Sequence, residues 1–229
     1  MTKPNIDLYS FRARVGPALF TILLPLVVFN HFFVVAELGK LIGDITSIKI
    51  LANAGLTAVL LYFLGQLGRI LGKTLFEKYL FQDAAYFPTT TYMLNSDRTY
   101  SSELKERFRS QVKKDFKIVL PEDADEVKLR QRISEAITMV RSKLHGNKIL
   151  LQHNIEYGFA RNALGGSIVG LMISVVNIIV FRFAYPAPVG VWISIGLSII
   201  YISALLLSKP ILNFYRDAYA RILFREYIK

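Results

Sequence analysis

Four blocks of apolar residues alternate with polar stretches along this 229-residue chain. The apolar blocks run over Val15–Glu37, Lys49–Leu71, Ala163–Tyr185 and Val189–Ser208. Each block has about 20 residues, which is the length that an α-helix needs to cross the hydrocarbon core of a bilayer. The pattern therefore predicts an all-α, multi-pass membrane protein with about four transmembrane helices.

The polar stretch between the second and third blocks carries the signals of a small helical domain. Ser101 or Ser102 can cap a helix that ends near Phe116, in which apolar residues recur every four positions. Asp123 and Glu126 have the spacing of a capping box and predict the start of a second helix.

Two further signals, one on each side of these helices, predict changes in the backbone. Gly146 is placed to end the second helix, and Asn147 to begin a third helix that runs directly into the third apolar block. The segment Phe87–Tyr92, with its proline and three threonines, favours an extended backbone.

These patterns divide the chain into five parts. Residues 1–14 form an interfacial segment, 15–71 a first transmembrane hairpin, and 72–162 a helical domain on stalks continuous with the spans. Residues 163–208 form a second hairpin, and 209–229 a basic tail. The tail mixes apolar and basic residues, so it predicts an amphipathic helix on the inner leaflet.

The net charge of +11 orients the chain in the membrane. More than half of its lysines and arginines lie in the polar stretch 72–162, whereas the short loop 186–188 has none. Because cytoplasmic loops are enriched in these residues, the distribution predicts a cytoplasmic head and two cytoplasmic termini in a cell inner membrane.

Little in the composition indicates chemistry. The chain has no cysteine, and its three histidines lie far apart in sequence, so thiolate catalysis is excluded and a metal site has little support. The sequence has no phosphate-binding loop, nucleophile elbow or dinucleotide fingerprint. We therefore predict no catalytic residue, no metal and no cofactor, and an enzyme is the least expected class.

Polar side chains inside the spans are the first candidates for function, because they are costly in lipid. They are Asn30, His31, Asn53, Asn177 and Arg182. One interpretation is that they line a polar path or gate. The alternatives are a hydrogen bond between helices at Asn30-His31 and a snorkelling Arg182.

Glycines form a second group of candidates. Gly158, Gly165 and Gly166 can act as a hinge between the head and the third span, or as packing positions together with Gly170. Two small-residue ridges, one in each of the last two spans, allow close helix approach. They indicate either a hairpin within one chain or a contact between subunits of a homo-oligomer.

Basic residues at Lys105, Arg109, Lys113 and Lys114 mark one predicted helix of the head. They can form a docking surface, contact anionic lipid, or simply face solvent. Contact with nucleic acid is expected to be indirect or weak.

Three motifs resemble those of small bacterial membrane proteins found in anti-phage defence loci, above all the membrane effectors of retron systems. The motifs are Phe87-Pro88-Thr89-Thr90-Thr91-Tyr92-Met93-Leu94, Leu150-Leu151-Gln152-His153-Asn154-Ile155-Glu156-Tyr157-Gly158-Phe159, and Arg161-Asn162 followed by Gly165-Gly166. The resemblance covers under half of the chain, in the head and its junction to the third span.

The resemblance implies an effector that depolarises the inner membrane when it is released from an inhibitory partner. In such systems that partner is a reverse transcriptase with its RNA–DNA product. Two other functions remain open on the sequence: a membrane scaffold or sensor that recruits a cytosolic partner, and a small channel or transporter subunit.

Overall fold

The computed structural model describes residues 11–35, 46–79, 84–120 and 125–229, with the backbone alone for 46–53, 79 and 84. The regular structure of these residues is helical, and four of the helices are long and apolar enough to cross a membrane. This confirms the predicted all-α, multi-pass fold class. The predicted outer loop and most of the interfacial segment 1–14 lie outside the described residues.

We number seven helices in the described part of the chain. They are α1 (Phe11–Val34), α2 (Thr46–Leu71, continued by Gly72–Tyr79), α3 (Ser102–Phe116), α4 (Glu126–Lys143), α5 (Lys148–Ile179, continued by Val180–Ala184), α6 (Pro188–Leu206) and α7 (Ser208–Ile228). The four candidate spans are α1, α2, α5 and α6.

The chain divides into two compact units. The span unit comprises residues 1–76 and 158–210, and the head unit comprises residues 77–157 and 211–229. Large apolar side chains are exposed on the spans, among them Phe63, Met172, Trp192 and Leu206. In water such a surface would be unfavourable, whereas lipid tails solvate it, so the exposed residues agree with a membrane environment.

Glycines allow α2 and α5 to cross with their backbones in contact. A Cβ atom added to Gly165 would overlap the carbonyl oxygen of Gly68 and lie 2.5 Å from the amide nitrogen of Gly72. A Cβ atom on Gly72 would lie 2.8 Å from the carbonyl oxygen of Arg161. This crossing therefore requires glycine on both helices.

The apolar core of the described part of the head unit receives residues from α3, α4 and α7. Phe108 and Val112 of α3, Ile133 and Val140 of α4, and Leu223 of α7 are each no more than 1% exposed. Several edge-to-face aromatic pairs complete the core, including Phe108 with Phe224 at 5.2 Å between ring centroids.

Most of the predicted helix ends in the head are confirmed. The Ser101 hydroxyl accepts a hydrogen bond from the amide of Leu104 and caps α3. Gly146 has a φ of 91° just after α4, and the Asn147 side chain accepts from the amide of Leu150 at the start of α5. The predicted capping residue Asp123 lies outside the described residues.

The prediction of an extended backbone over Phe87–Tyr92 is wrong beyond its first residue. Phe87 is extended, but Pro88–Thr91 forms a helical turn. Proline is favourable in the first turn of a helix because the amide hydrogen that it lacks would have no acceptor within the helix there. The backbone amides of Thr90 and Thr91 donate hydrogen bonds to the carbonyl oxygen of Phe87 and close the turn.

The interpretation of the basic tail as a helix on the leaflet also needs correction. Residues 208–228 form the amphipathic helix that the pattern predicts, but its apolar side is buried in the head core. Leu212, Ala220 and Leu223 are completely buried. This side of the helix is therefore not available for insertion into lipid.

Candidate functional site

Two prolines in α1 leave backbone carbonyls without their usual partners. In an α-helix each carbonyl accepts from the amide four residues later, and proline has no amide hydrogen. Pro17 therefore cannot serve the carbonyl of Ala13, and Pro25 cannot serve that of Thr21. The helix is irregular at both places, with a π-type turn over Phe11–Val15 and a break at Ile22.

Asn162 of α5 supplies the donor that Pro17 withholds. Its Nδ2 atom donates to the carbonyl oxygen of Ala13 over 2.6 Å, and both residues are buried. The guanidinium of Arg161 donates from Nε and Nη2 to the Oδ1 atom of Asn162, at 3.3 and 3.2 Å. Arg161 thus fixes the orientation of the amide that binds α1.

Tyr201 of α6 replaces the donor that Pro25 withholds. Its hydroxyl donates to the carbonyl oxygen of Thr21 over 2.7 Å, and Tyr201 is 3% exposed. The hydroxyl of Thr21 donates in turn to the carbonyl oxygen of Pro17 over 2.8 Å. Both proline positions are therefore tied into one set of polar contacts along α1.

Asn177 of α5 completes the set. Its Nδ2 atom donates to the carbonyl oxygen of Pro25 over 2.9 Å, and the residue is fully buried. We call these three contacts the carbonyl clamp: Asn162, Tyr201 and Asn177 donating to the carbonyls of Ala13, Thr21 and Pro25. The Oδ1 atom of Asn177 is buried without a hydrogen-bond partner among the described residues.

Two glycines of α5 give the clamp its space. A Cβ atom on Gly166 would overlap the hydroxyl of Thr21. A Cβ atom on Gly170 would lie 2.5 Å from the carbonyl oxygen of Thr21 and 2.9 Å from the ring of Tyr201. The small-residue ridge of α5 thus packs against α1, in addition to facing Tyr201 of α6.

The predicted polar residues of the spans lie in different surroundings. Asn177 belongs to the clamp, whereas Asn30 donates to the hydroxyl of Thr57 over 2.9 Å, which is the predicted hydrogen bond between helices. His31 is exposed and contacts the ring of Phe32. Arg182 is exposed beside Phe183. The side chain of Asn53 lies outside the described residues.

The candidate hinge glycines all lie within the unbroken helix α5. Gly165, Gly166 and Gly170 are buried at close helix contacts, which supports the packing role. Gly158 is buried and begins the second segment of the span unit.

The predicted docking residues of α3 separate into two groups. Lys105 is 5% exposed and donates from Nζ to the carbonyl oxygens of Leu94 and Asp97, and burial lowers its pKa. Its predicted place on a docking surface is therefore wrong, because a buried ammonium that holds a loop cannot contact a partner. Arg109 is half-buried and donates to Asn95. Lys113 and Lys114 are exposed.

The head unit also buries an arginine that the sequence did not single out. Arg216 of α7 is 3% exposed, its guanidinium lies 4.3 Å from the centre of the Phe87 ring, and it donates to the carbonyl oxygen of Tyr86. Burial lowers its pKa. Its apolar and aromatic contacts make it part of the head core.

The sequence pattern alone indicates only part of the clamp. It identified Asn177 but not Asn162 or Tyr201 as polar groups with a structural task. The signal was present in Pro17 and Pro25, since each proline marks the carbonyl four residues earlier as an acceptor that needs a donor. The sequence alone does not indicate which helix supplies that donor.

No cluster of three or more potential metal ligands occurs among the described residues. Comparison of the chain with protein-family models, with curated proteins and with solved structures gives no match.

Proposed function

We propose that this chain is a membrane effector that depolarises the inner membrane when an inhibitory partner releases it. The observation that carries the proposal is the carbonyl clamp. It holds a proline-containing span in place through side-chain donors from two other spans, α5 and α6.

The clamp distinguishes a closed and an open arrangement of this span. With the donors in place, the backbone carbonyls of α1 are satisfied inside the bilayer, as a membrane requires. If α1 separates from α5 and α6, the carbonyls of Ala13 and Thr21 lose their partners, and each costs several kcal/mol in hydrocarbon. Water is then the available donor, and water drawn into the span unit permits ions to leak.

Helix α5 provides a route by which a head partner acts on the clamp. It begins at Lys148 in the head unit and continues unbroken to Ile179, and it carries both Asn162 and Asn177. In this proposal, a displacement of α5 at its head end reaches the side chains farther along it. The Oδ1 atom of Asn177 has no hydrogen-bond partner among the described residues, and a buried acceptor without a donor destabilises the closed arrangement and so lowers the cost of opening.

The biological setting of the proposal follows the resemblance of the head motifs. We place the protein in a bacterial inner membrane, with a cytoplasmic head and two cytoplasmic termini. A reverse transcriptase with its RNA–DNA product is the proposed inhibitor. The proposed active form is a homo-oligomer, in which several copies together let ions leak across the membrane.

Variants that weaken the clamp test the proposal. Tyr201→Phe removes the hydroxyl that serves Thr21, and Asn177→Leu removes the donor to Pro25. We expect each variant, expressed beside the inhibitory partner, to depolarise cells without a trigger, measured with a potential-sensitive dye. Tyr62→Phe is the matched control, because Tyr62 is 73% exposed on α2 and contributes nothing to the clamp.

A membrane scaffold that recruits a cytosolic protein is the second candidate, favoured by the exposed Lys113 and Lys114. It predicts an unchanged potential in the wild type expressed alone and in both clamp variants. That result, with all proteins inserted in the membrane at equal levels, would overturn the effector proposal.

A further inference from the structure

The head unit contains a groove between α3 and α7 that no function described above uses. Its floor is formed by Tyr100, Leu104, Phe224 and Ile228. Its edge is formed by three exposed cations, namely Arg221 and Arg225 of α7 and Lys229 directly after the end of α7. The groove therefore combines an apolar floor with one strongly basic side.

The three cations follow one another at intervals of four residues. Four residues of an α-helix rise about 6 Å and complete about one turn, so Arg221 and Arg225 lie on one side of α7. Lys229, just beyond the end of the helix, extends this row. Glu226 lies 3.4 Å from Arg225 and 2.8 Å from Lys229, measured from side-chain nitrogen to carboxylate oxygen. One carboxylate thus neutralises part of a row of three positive charges, and the row keeps a positive balance.

The floor favours an aliphatic anchor over a stacked base. The rings of Tyr100 and Phe224 contact each other edge to face, with centroids 5.5 Å apart, and Tyr100 contacts Tyr92 in the same way. These rings are committed to neighbours, whereas single-stranded nucleic acid binds to free ring faces. Leu104 and Ile228 are half-buried and offer aliphatic surface.

We propose that this groove binds an acidic, amphipathic peptide segment of a partner protein. Leucine-like side chains of the segment would cover Leu104 and Ile228, and carboxylates four residues apart would face Arg221 and Arg225. Helical segments that lay an apolar face in a groove and pair charges at its rim are a common mode of recognition. The proposal deepens the proposed function by giving the chemistry of a partner, but the binding can be tested without it.

Binding of synthetic peptides to the full chain in nanodiscs of neutral lipid tests the proposal. The probe is a fluorescein-labelled helical peptide with leucine on one face and glutamate at every fourth position on its edge. A peptide with glutamine at the same positions is the control probe. We expect the glutamate peptide to bind at least about tenfold more tightly, since rim charges supply electrostatic complementarity.

Variants of the chain test whether the peptides bind in this groove. Arg221→Glu with Arg225→Glu should reduce the affinity by about tenfold or more, as like charges then meet across the groove. Ile228→Ser should weaken the binding of both peptides, because it removes apolar surface from the floor of the groove. Arg107→Glu is the matched control, because Arg107 is exposed on α3 and does not line the groove. Circular dichroism verifies that each variant folds.

Three outcomes would overturn the proposal: equal binding of both peptides, binding unaffected by the charge reversal, or tighter binding of a labelled thymidine oligonucleotide that displaces the peptide. Failure here would leave the effector proposal standing, because that proposal depends on membrane potential. If the peptides bind but cells that express the chain are not depolarised, the groove proposal stands and the effector proposal is rejected.

Discussion

Single residues in this protein matter mainly through what they remove. Pro17 and Pro25 each lack a backbone N–H donor, so the carbonyls of Ala13 and Thr21 need donors from elsewhere. Asn162 and Tyr201 supply these donors. Glycines remove side chains and so allow helix backbones to touch. The positions of these residues were visible in the sequence, but their partners depend on which helices pack together.

Gly165 provides the most sensitive test of close packing in the span unit. Gly165→Ala places a methyl group against the backbone of Gly68 and Gly72, which cannot move aside like a side chain. We expect a loss of about 1–3 kcal/mol in stability, the usual cost of overpacking. The measurement is thermal unfolding of the protein in detergent micelles.

Gly196→Ala is the matched control for this substitution. It adds the same methyl group to another span, α6, where no atom lies within 4 Å of the new Cβ. We expect its stability to remain within about 0.5 kcal/mol of the wild type. A Gly165→Ala protein as stable as this control would show that α2 and α5 do not meet at Gly165.

At the scale of elements, a single carboxylate connects three helices of the head. Asp115 of α3 lies 2.6 Å from the ammonium of Lys143 on α4 and accepts from the hydroxyl of Tyr227 on α7 over 2.9 Å. Hydrogen bonding to Lys143 lowers the pKa of Asp115, and the hydrogen bonds from Tyr227 and Gln111 act in the same direction.

This carboxylate makes the stability of the head depend on pH. The native pKa of Asp115 is below its unfolded value, so its stabilisation is present above the unfolded pKa. It is lost as the pH falls below the unfolded pKa and then through the native pKa. Asp115→Ala should therefore lower the stability by about 2 kcal/mol at pH 6 and by less at pH 3.

Thermal unfolding of the two proteins at both pH values, followed by circular dichroism in micelles, measures this difference. Glu135→Ala is the control, because Glu135 is an exposed carboxylate of α4. If Asp115→Ala lowers the stability by the same amount at both pH values, the ionised carboxylate of Asp115 does not connect the three helices as described.

At the scale of the whole molecule, the head is built from two segments that are far apart in sequence. Residues 77–157 and 211–229 form one compact unit, and the second segment follows the last span. Periodicity in the sequence predicted an amphipathic helix at 209–229 but assigned its apolar side to lipid. Hydrophobic spacing shows that a helix has an apolar side, whereas the surface that covers this side depends on the tertiary fold.

The same limit explains which other predictions succeeded. The spans and the ends of α3 and α4 depend on local composition, capping residues and glycine, so the sequence contains the information for them. The clamp depends on contacts between α1 and residues about 150 or more positions away, such as Asn162 and Tyr201. No periodicity within one segment encodes such a contact.

Removal of residues 211–229 tests how the head is assembled. The truncated chain keeps all four candidate spans but loses Leu223, Phe224 and their neighbours from the head core. Removing buried groups of this size costs about 3–5 kcal/mol for a single phenylalanine, so we expect the remaining head to unfold. The truncated protein should resist carbonate extraction from membranes, yet its residues 77–157 should be cleaved rapidly by added protease.

Two full-length variants separate this explanation from a general effect of truncation. Phe224→Ala removes one core ring that is 1% exposed and should reproduce part of the protease sensitivity, whereas Phe214→Ala removes a ring that is 69% exposed on the same helix and should not. A protease-resistant head in the truncated chain would mean that residues 77–157 fold alone. Cleavage of the truncated chain and of Phe224→Ala, with resistance in Phe214→Ala, would show instead that the head closes only after the last span has been made, because its final helix supplies one wall of the core.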